Sequence, residues 1–357
     1  MDFHLSLDVA FRWISASFPH AESSPGPREW VTMPFGQQAW MAKKEQNMAR
    51  ETFVAWWHGL NVGQQQALVQ KFYHAAGGDK SNAQENFEGV LKGELTAEIA
   101  FKDATVVLVD RNGRCIPTDT VTGQVVNANR AYHLDQPEIN YGRVLERYKQ
   151  FFGPEMQFVS AAEFEARATA LLGQVGDHKQ VKNLRRGVYL PFSLPKLVVA
   201  DYGRTLKEIF LAAVERSYRA QFPNRPFVNC RKGQLTGQVK IVTESRHNEL
   251  IEAMRQGPVV GVLFPTTLQG FGIEADREMI AQFPAGFTLT GAIDFAAAHV
   301  AYPETLAKDN TPVSDCAALS WRVPGNSLYF NAGDDRLEFN CRRLVAGEEC
   351  SAGVVVF

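Results

Sequence analysis

The sequence predicts an α/β to α+β fold: a helical N-terminal region bearing a β-hairpin, then a mixed, partly parallel sheet with flanking helices in the C-terminal half. Three observations carry that expectation. Between Gln256 and Asp309, an apolar run at 259–264 precedes a helical stretch at 273–283, a second apolar run at 287–294 and a second helical stretch at 295–308. Short β-branched runs bounded by Gly and Pro mark strands buried on both faces, and strand, helix, strand, helix is the order of a βαβ unit. Next, Ala104 to Asp110 meets Arg111-Asn112-Gly113-Arg114. Asn-Gly after a β-branched run suits the positive φ angles of a hairpin turn. Finally, short β runs at 317–322, 327–331, 337–341 and 353–357 suggest an antiparallel closing sheet.

Taken in order, residues 3–18 space Phe3, Leu7, Phe11, Ile14 and Phe18 three and four apart, a helical pattern. Further helices are expected at 37–58 and 62–75, and a third strand at 121–127. Helices follow at 141–152 and 161–172, the second opening at Ser160 with Glu163 three residues on, a capping box. Residues 173–187 are polar and rich in glycine and read as a linker, dividing the chain into a region 1–178 and a domain 187–357. Strands at 188–192, 197–200, 226–230 and 238–243 and helices at 204–222 and 245–256 lead into the 256–309 unit.

Composition narrows the class. The chain has 357 residues, 45% hydrophobic and 21% charged, with a formal net charge of −2. That length suits one large or two ordinary domains, and that charge argues against a protein-wide footprint for nucleic acid or anionic membrane. No apolar run reaches the ~18 residues of a membrane span. An acidic, interrupted N-terminus argues against a secretory signal. Five widely spaced cysteines without a Cys-x-x-Cys pair fit reduced thiols and a cytoplasmic protein.

Candidate site residues come from one rule: in a parallel sheet, ligands sit beyond the carboxyl ends of the strands, at helix N-termini. It selects the loop after residue 264, where Thr266, Thr267 and Gln269 offer hydroxyls and an amide beside Gly270. It also selects Asp294 at a strand end, as a general base or as the cap of a helix starting at Phe295. Asp201 and Arg204 stand directly before a long helix; Arg204 can neutralise an anion, while Asp201 as the helix cap is the plainer reading. His247, on a first helical turn, is a candidate general base; a solvated surface histidine is the plainer reading. Cys230, followed by Arg231 and Lys232, sits in a cationic setting that favours a thiolate; a buried, inert cysteine at a strand end is the plainer reading. Lys179, Lys182, Arg185 and Arg186 form a basic stripe. No metal-binding, Walker or nucleophile-elbow motif occurs, and no cofactor is implied.

The expected function is binding of, or action on, a small polar or anionic ligand at the strand ends. The alternative is a non-catalytic protein that docks a protein partner through an aromatic N-terminal surface, since Trp13, Trp30, Trp40, Trp56 and Trp57 fall in the first 57 residues. Nucleic acid is disfavoured as a partner, and no membrane is expected.

Overall fold

A computed structural model describes residues 107–357, apart from 309 and 334, together with the backbone of two short strands at 10–14 and 96–100. The chain divides into two compact units, Met1–Ala104 and Thr105–Phe357. In the first, β1 (Ala10–Ile14) pairs antiparallel with β2 (Thr96–Ala100). Residues 10–14 are therefore strand where the three-and-four spacing suggested helix; Ala-Phe-Arg-Trp-Ile satisfies a period of two equally well. The helices expected at 37–58 and 62–75 and the tryptophan-rich docking surface lie outside the described residues.

The second unit opens with the Asn-Gly hairpin, much shortened. Val109 bridges Cys115 and Val125 bridges Phe271, each as an isolated antiparallel bridge. Helices α1 (Tyr141–Phe152) and α2 (Ala161–Asp177) follow, α2 capped by the Ser160 side chain, which accepts from Glu163 N. The residues read as a linker are instead the end of α2 and a 3-10 turn (Lys182–Arg186). Val175, Val181 and Leu184 are buried there in one core with Phe264 and Val354. Three apolar side chains in a polar segment suffice to tie it down, so no boundary falls near residue 180.

After β3 (Leu190–Leu194), a helical segment runs from α3 (Tyr202–Thr205) through a π-turn (Leu206–Phe210) into α4 (Leu211–Gln221). Then come β4 (Phe227–Asn229), β5 (Val239–Ile241), α5 (His247–Gln256), β6 (Val259–Gln269), α6 (Ile273–Ile280) and β7 (Phe287–Leu289). Helices α7 (Ala292–Ala301) and α8 (Pro303–Leu306) precede β8 (Val313–Asp315), β9 (Leu319–Trp321), β10 (Asn326–Ala332), β11 (Leu337–Arg343) and β12 (Cys350–Val356). Residues 197–200 form no strand.

The main sheet has eight strands, in the order β3-β6-β12-β8-β10-β11-β4, with β7 also on β12. It is mixed: β12–β8 and β11–β4 are parallel, the other pairs antiparallel. The closing β runs thus do not make a separate sheet; most enter the one begun by β3 and β6. Strands β6 and β7 run the same way, with β12 between them. Both faces are covered, and β12 alternates, Val355 entering one core and Val354 and Val356 the other. That is why these strands read as continuous apolar runs. Among the described residues, no helix is long and apolar enough to cross a membrane.

Candidate functional site

The loop expected after residue 264 is strand. β6 continues to Gln269 because β12 keeps pairing with it there, Ala352 opposite Leu268 and Ser351 opposite Gln269, beyond a register shift opposite Gly353. The hairpin seals its other side, Cys115 N donating to Thr267 O at 2.7 Å. Strand alternation then separates the three expected ligand residues. Thr267 and Gln269 are buried, with Thr267 Oγ1 donating to Phe264 O at 3.1 Å and Gln269 Nε2 donating to Asn129 O at 3.2 Å and Tyr132 O at 3.0 Å. Thr266 alone remains half-buried on the opposite face, where it lines a cleft.

Asp294 and His247 are brought together, but away from solvent. Asp294 lies inside the first turn of α7, not at a strand end and not at a cap before Phe295, because the chain turns helical at Ala292. Its carboxylate reaches back to accept from Gly291 N at 2.8 and 3.1 Å. Tyr202 Oη accepts from Ile293 N at 3.2 Å and lies 3.1 Å from His247 Nε2. His247 Nδ1 is 3.2 Å from Leu289 O. A carbonyl only accepts, so Nδ1 carries the proton and Nε2 accepts from the tyrosine hydroxyl. The side-chain polar groups of Tyr202, His247 and Asp294 all have partners in this network. His247 is fully buried, not a surface residue, and burial pushes its pKa down to about 4. Burial likewise holds the Asp294 carboxyl well above the usual carboxylate range, against the pull of its backbone hydrogen bonds. A glycine is required at 291: a Cβ there would lie 2.5 Å from His247 Nε2 and 2.6 Å from Tyr202 Oη.

Asp201 and Arg204 form a cap. Asp201 accepts from Arg204 N at 2.7 Å and from Gly237 N at 2.8 Å, which leaves the Arg204 side chain exposed at the surface, outside the cleft lining. The Cys230 thiol is raised rather than lowered, by burial first and then by Glu338, which outweigh Arg231. All five cysteines are free. No group of metal-ligating side chains is present among the described residues.

Among the described residues, one cleft gathers charge that is not consumed. Its volume is about 370 Å³, and three segments wall it: the hairpin turn with Asn112 and Arg114, the stretch from Arg130 through His133 to Gln136, and the end of the 3-10 turn from Arg186 to Val188. The turn is built by Asp110, whose carboxylate accepts from Asn112 N at 2.8 Å and Arg114 N at 3.0 Å. Gly113 has φ +85°, and a Cβ there would lie 2.5 Å from Gly187 N, so the hairpin tip can approach the third wall only as glycine. Asn183 Nδ2 donates to Val109 O at 3.0 Å and locks the same two segments. The second wall is pinned to the approach of β3: Gln136 Oε1 accepts from Tyr189 N at 2.9 Å while its Nε2 donates to Tyr189 O at 3.0 Å.

Arg114, Arg130 and Arg186 thus line one cleft, with His133 beside them and Asp135 as its single acid. Among the described residues their guanidinium groups make no hydrogen bond or ion pair. Burial, then the positive charge of Arg130, lowers the Arg114 pKa from its ordinary value, with Asp110 opposing. Two like charges held near each other are stabilised by an anion between them. The sequence signalled the Asn112-Gly113 turn and the basic character of Arg186; Arg114, Arg130 and His133 carried no spacing signal, since three distant segments supply them. Comparison of the chain with protein-family models, curated proteins and solved structures found no match.

Proposed function

We propose that this protein binds a small ligand bearing two or more negative charges in the cleft of Arg114, Arg130 and Arg186. The observation that carries the reading is that three arginines, whose guanidinium groups have no hydrogen bond or ion pair among the described residues, line a single cleft with one acidic residue. Arginine offers paired N–H donors that match phosphate, sulfate and carboxylate oxygens, and the cleft volume falls within the ~300–1,000 Å³ of small-molecule sites. Asn112 and the half-buried Thr266 supply neutral polar groups for the rest of the ligand.

Titration calorimetry of the full chain with pyrophosphate, sulfate and an uncharged sugar tests this. Affinity is expected to rise with ligand charge, to weaken with added salt and to drop in Arg114→Gln. Equal binding of the uncharged sugar, or anion binding indifferent to Arg114→Gln, defeats the reading. We also infer a reducing, cytoplasmic setting, supported by the five free cysteines; a disulfide found in protein isolated from cells under thiol-blocking conditions would count against it.

A further inference from the structure

A second group of charges is enclosed in the protein. Asp276, in the first half of α6, is fully buried, and among the described residues neither carboxylate oxygen has a hydrogen-bond partner. Asp315, at the end of β8, is also fully buried. Arg342 of β11 faces it, Nε lying 3.2 Å from Oδ1, an ion pair without the alignment of a hydrogen bond. The guanidinium also contacts Cys350 Sγ and donates to Val345 O at 2.5 Å. The remaining charged and titratable groups nearby are Arg277 on α6 itself, Cys115 of the hairpin, Cys316 next to Asp315, and Glu349. Arg277 is occupied by the carbonyls of Ala317 at 3.0 Å and Leu319 at 2.8 Å. One guanidinium is therefore available to two buried carboxyl groups. A carboxylate enclosed without donors is far costlier than the neutral acid.

What surrounds this cluster gives it consequence. Helix α6 carries Asp276 inward and Glu278 outward, and Glu278 grips the strap that leads to the cleft, accepting from Thr122 N at 2.6 Å and Gly123 N at 2.9 Å. The first residue of α6 is tied to the 344–349 loop, Ile273 N donating to Leu344 O at 3.1 Å, and that loop is tied to the strap, Asn129 N donating to Glu348 O at 2.9 Å. The strap then continues directly into Arg130 and His133 of the cleft wall.

We propose that Asp276, Asp315 and Arg342 form a proton-dependent latch, in which one retained proton keeps α6 and the 344–349 loop seated and loss of it frees the strap carrying Arg130 and His133. Burial raises the Asp315 carboxyl to about 7, with Arg342 opposing, and holds Asp276 well above its ordinary value, with Asp315 adding to the effect. Both folded-state values are raised, so the latch is fully closed below about pH 4, the ordinary carboxylate value, and its closure is lost progressively as pH rises from there through the raised folded-state values. The consequence for the cleft rests on the anion-binding reading; the latch itself does not.

Hydrogen exchange of the full chain, normalised at each pH to an unstructured peptide, tests it. As pH rises from about 4, protection at 122–130 and 344–349 is expected to fall, by up to about tenfold per pH unit for one linked proton, until the raised folded-state values are passed. Asp276→Asn, near-isosteric and permanently neutral, is expected to make that fall shallower, while Asp315→Asn, which removes the partner of Arg342, is expected to lower protection there at every pH. The same pH dependence in wild type and Asp276→Asn overturns the latch. Sulfate affinity, free of phosphate's own titration, separates the two readings. No sulfate binding at any pH in either protein removes the cleft while exchange still decides the latch. Binding that falls with pH alike in wild type and Asp276→Asn removes the latch and leaves the cleft.

Discussion

The network at the start of α7 and the cleft beside the hairpin are both polar, and they differ in what the polarity is spent on. In the first, the donors and acceptors of Gly291, Ile293, Asp294, Tyr202, His247 and Leu289 are matched to one another within the core. In the second, three arginines face a cleft unmatched. A residue type at a helix N-terminus therefore says little about ligands until its own hydrogen bonds are counted. Charge left over beside a cleft marks a candidate site; polar groups matched to one another mark a joint.

The sharpest way to break the comparison is to damage the joint. Gly291→Ala forces a methyl group onto His247 Nε2 and Tyr202 Oη. We expect a loss of about 3 kcal/mol in urea unfolding, with anion affinity of the folded fraction unchanged. A loss below about 1 kcal/mol would mean that the network yields easily and is not a joint. The mirror experiment is Arg114→Gln. It is expected to weaken pyrophosphate binding by about 1.5–3 kcal/mol, roughly ten- to a hundredfold, while stability stays within about 0.5 kcal/mol. If instead stability collapses, Arg114 is structural and the contrast between the regions fails.

His299 sharpens the comparison as a third case, enclosed yet unmatched. Both ring nitrogens are buried without partners, and the ring lies 4.7 Å from that of Phe330. Burial pushes its pKa down to about 3. The folded state then binds fewer protons than the unfolded one between about pH 6.5 and 3, so stability present above that window is lost as pH falls through it. Wild type should lose up to about 1.4 kcal/mol per pH unit relative to His299→Met there, and the variant should already be about 1–2 kcal/mol more stable at neutral pH. Parallel curves for the two proteins in acid would refute the assignment. The smallest expected effects are the paired threonines. Thr266→Val should weaken pyrophosphate binding by about 0.5–1 kcal/mol, and Thr267→Val should leave affinity alone while costing about 1 kcal/mol of stability.

The sequence made the fold class legible because apolar runs such as 259–264 are written in one contiguous stretch, and their burial on both faces leaves a local trace. The same held for α1, for the Ser160 cap and for the Asn112-Gly113 turn. Long-range pairing was not legible. Nothing within 265–269 announces that β12 will hold it in the sheet, since Ser351 and Ala352 lie more than eighty positions away. That single pairing turned an expected ligand loop into strand and sent Thr267 and Gln269 inward. The candidate site suffered likewise: Arg114, Arg130 and Arg186 come from three segments, and only assembly shows that they share a cleft while Asp294 does not.

Strand order carries one more consequence. β12 is made after every other strand of its sheet, yet it occupies an interior place, between β6 on one side and β7 and β8 on the other. During synthesis the sheet therefore waits, open at its middle, until residue 356 has left the ribosome. A chain halted before residue 350 would present the long apolar edge of β6 to any other strand in reach, the circumstance in which chains associate rather than fold.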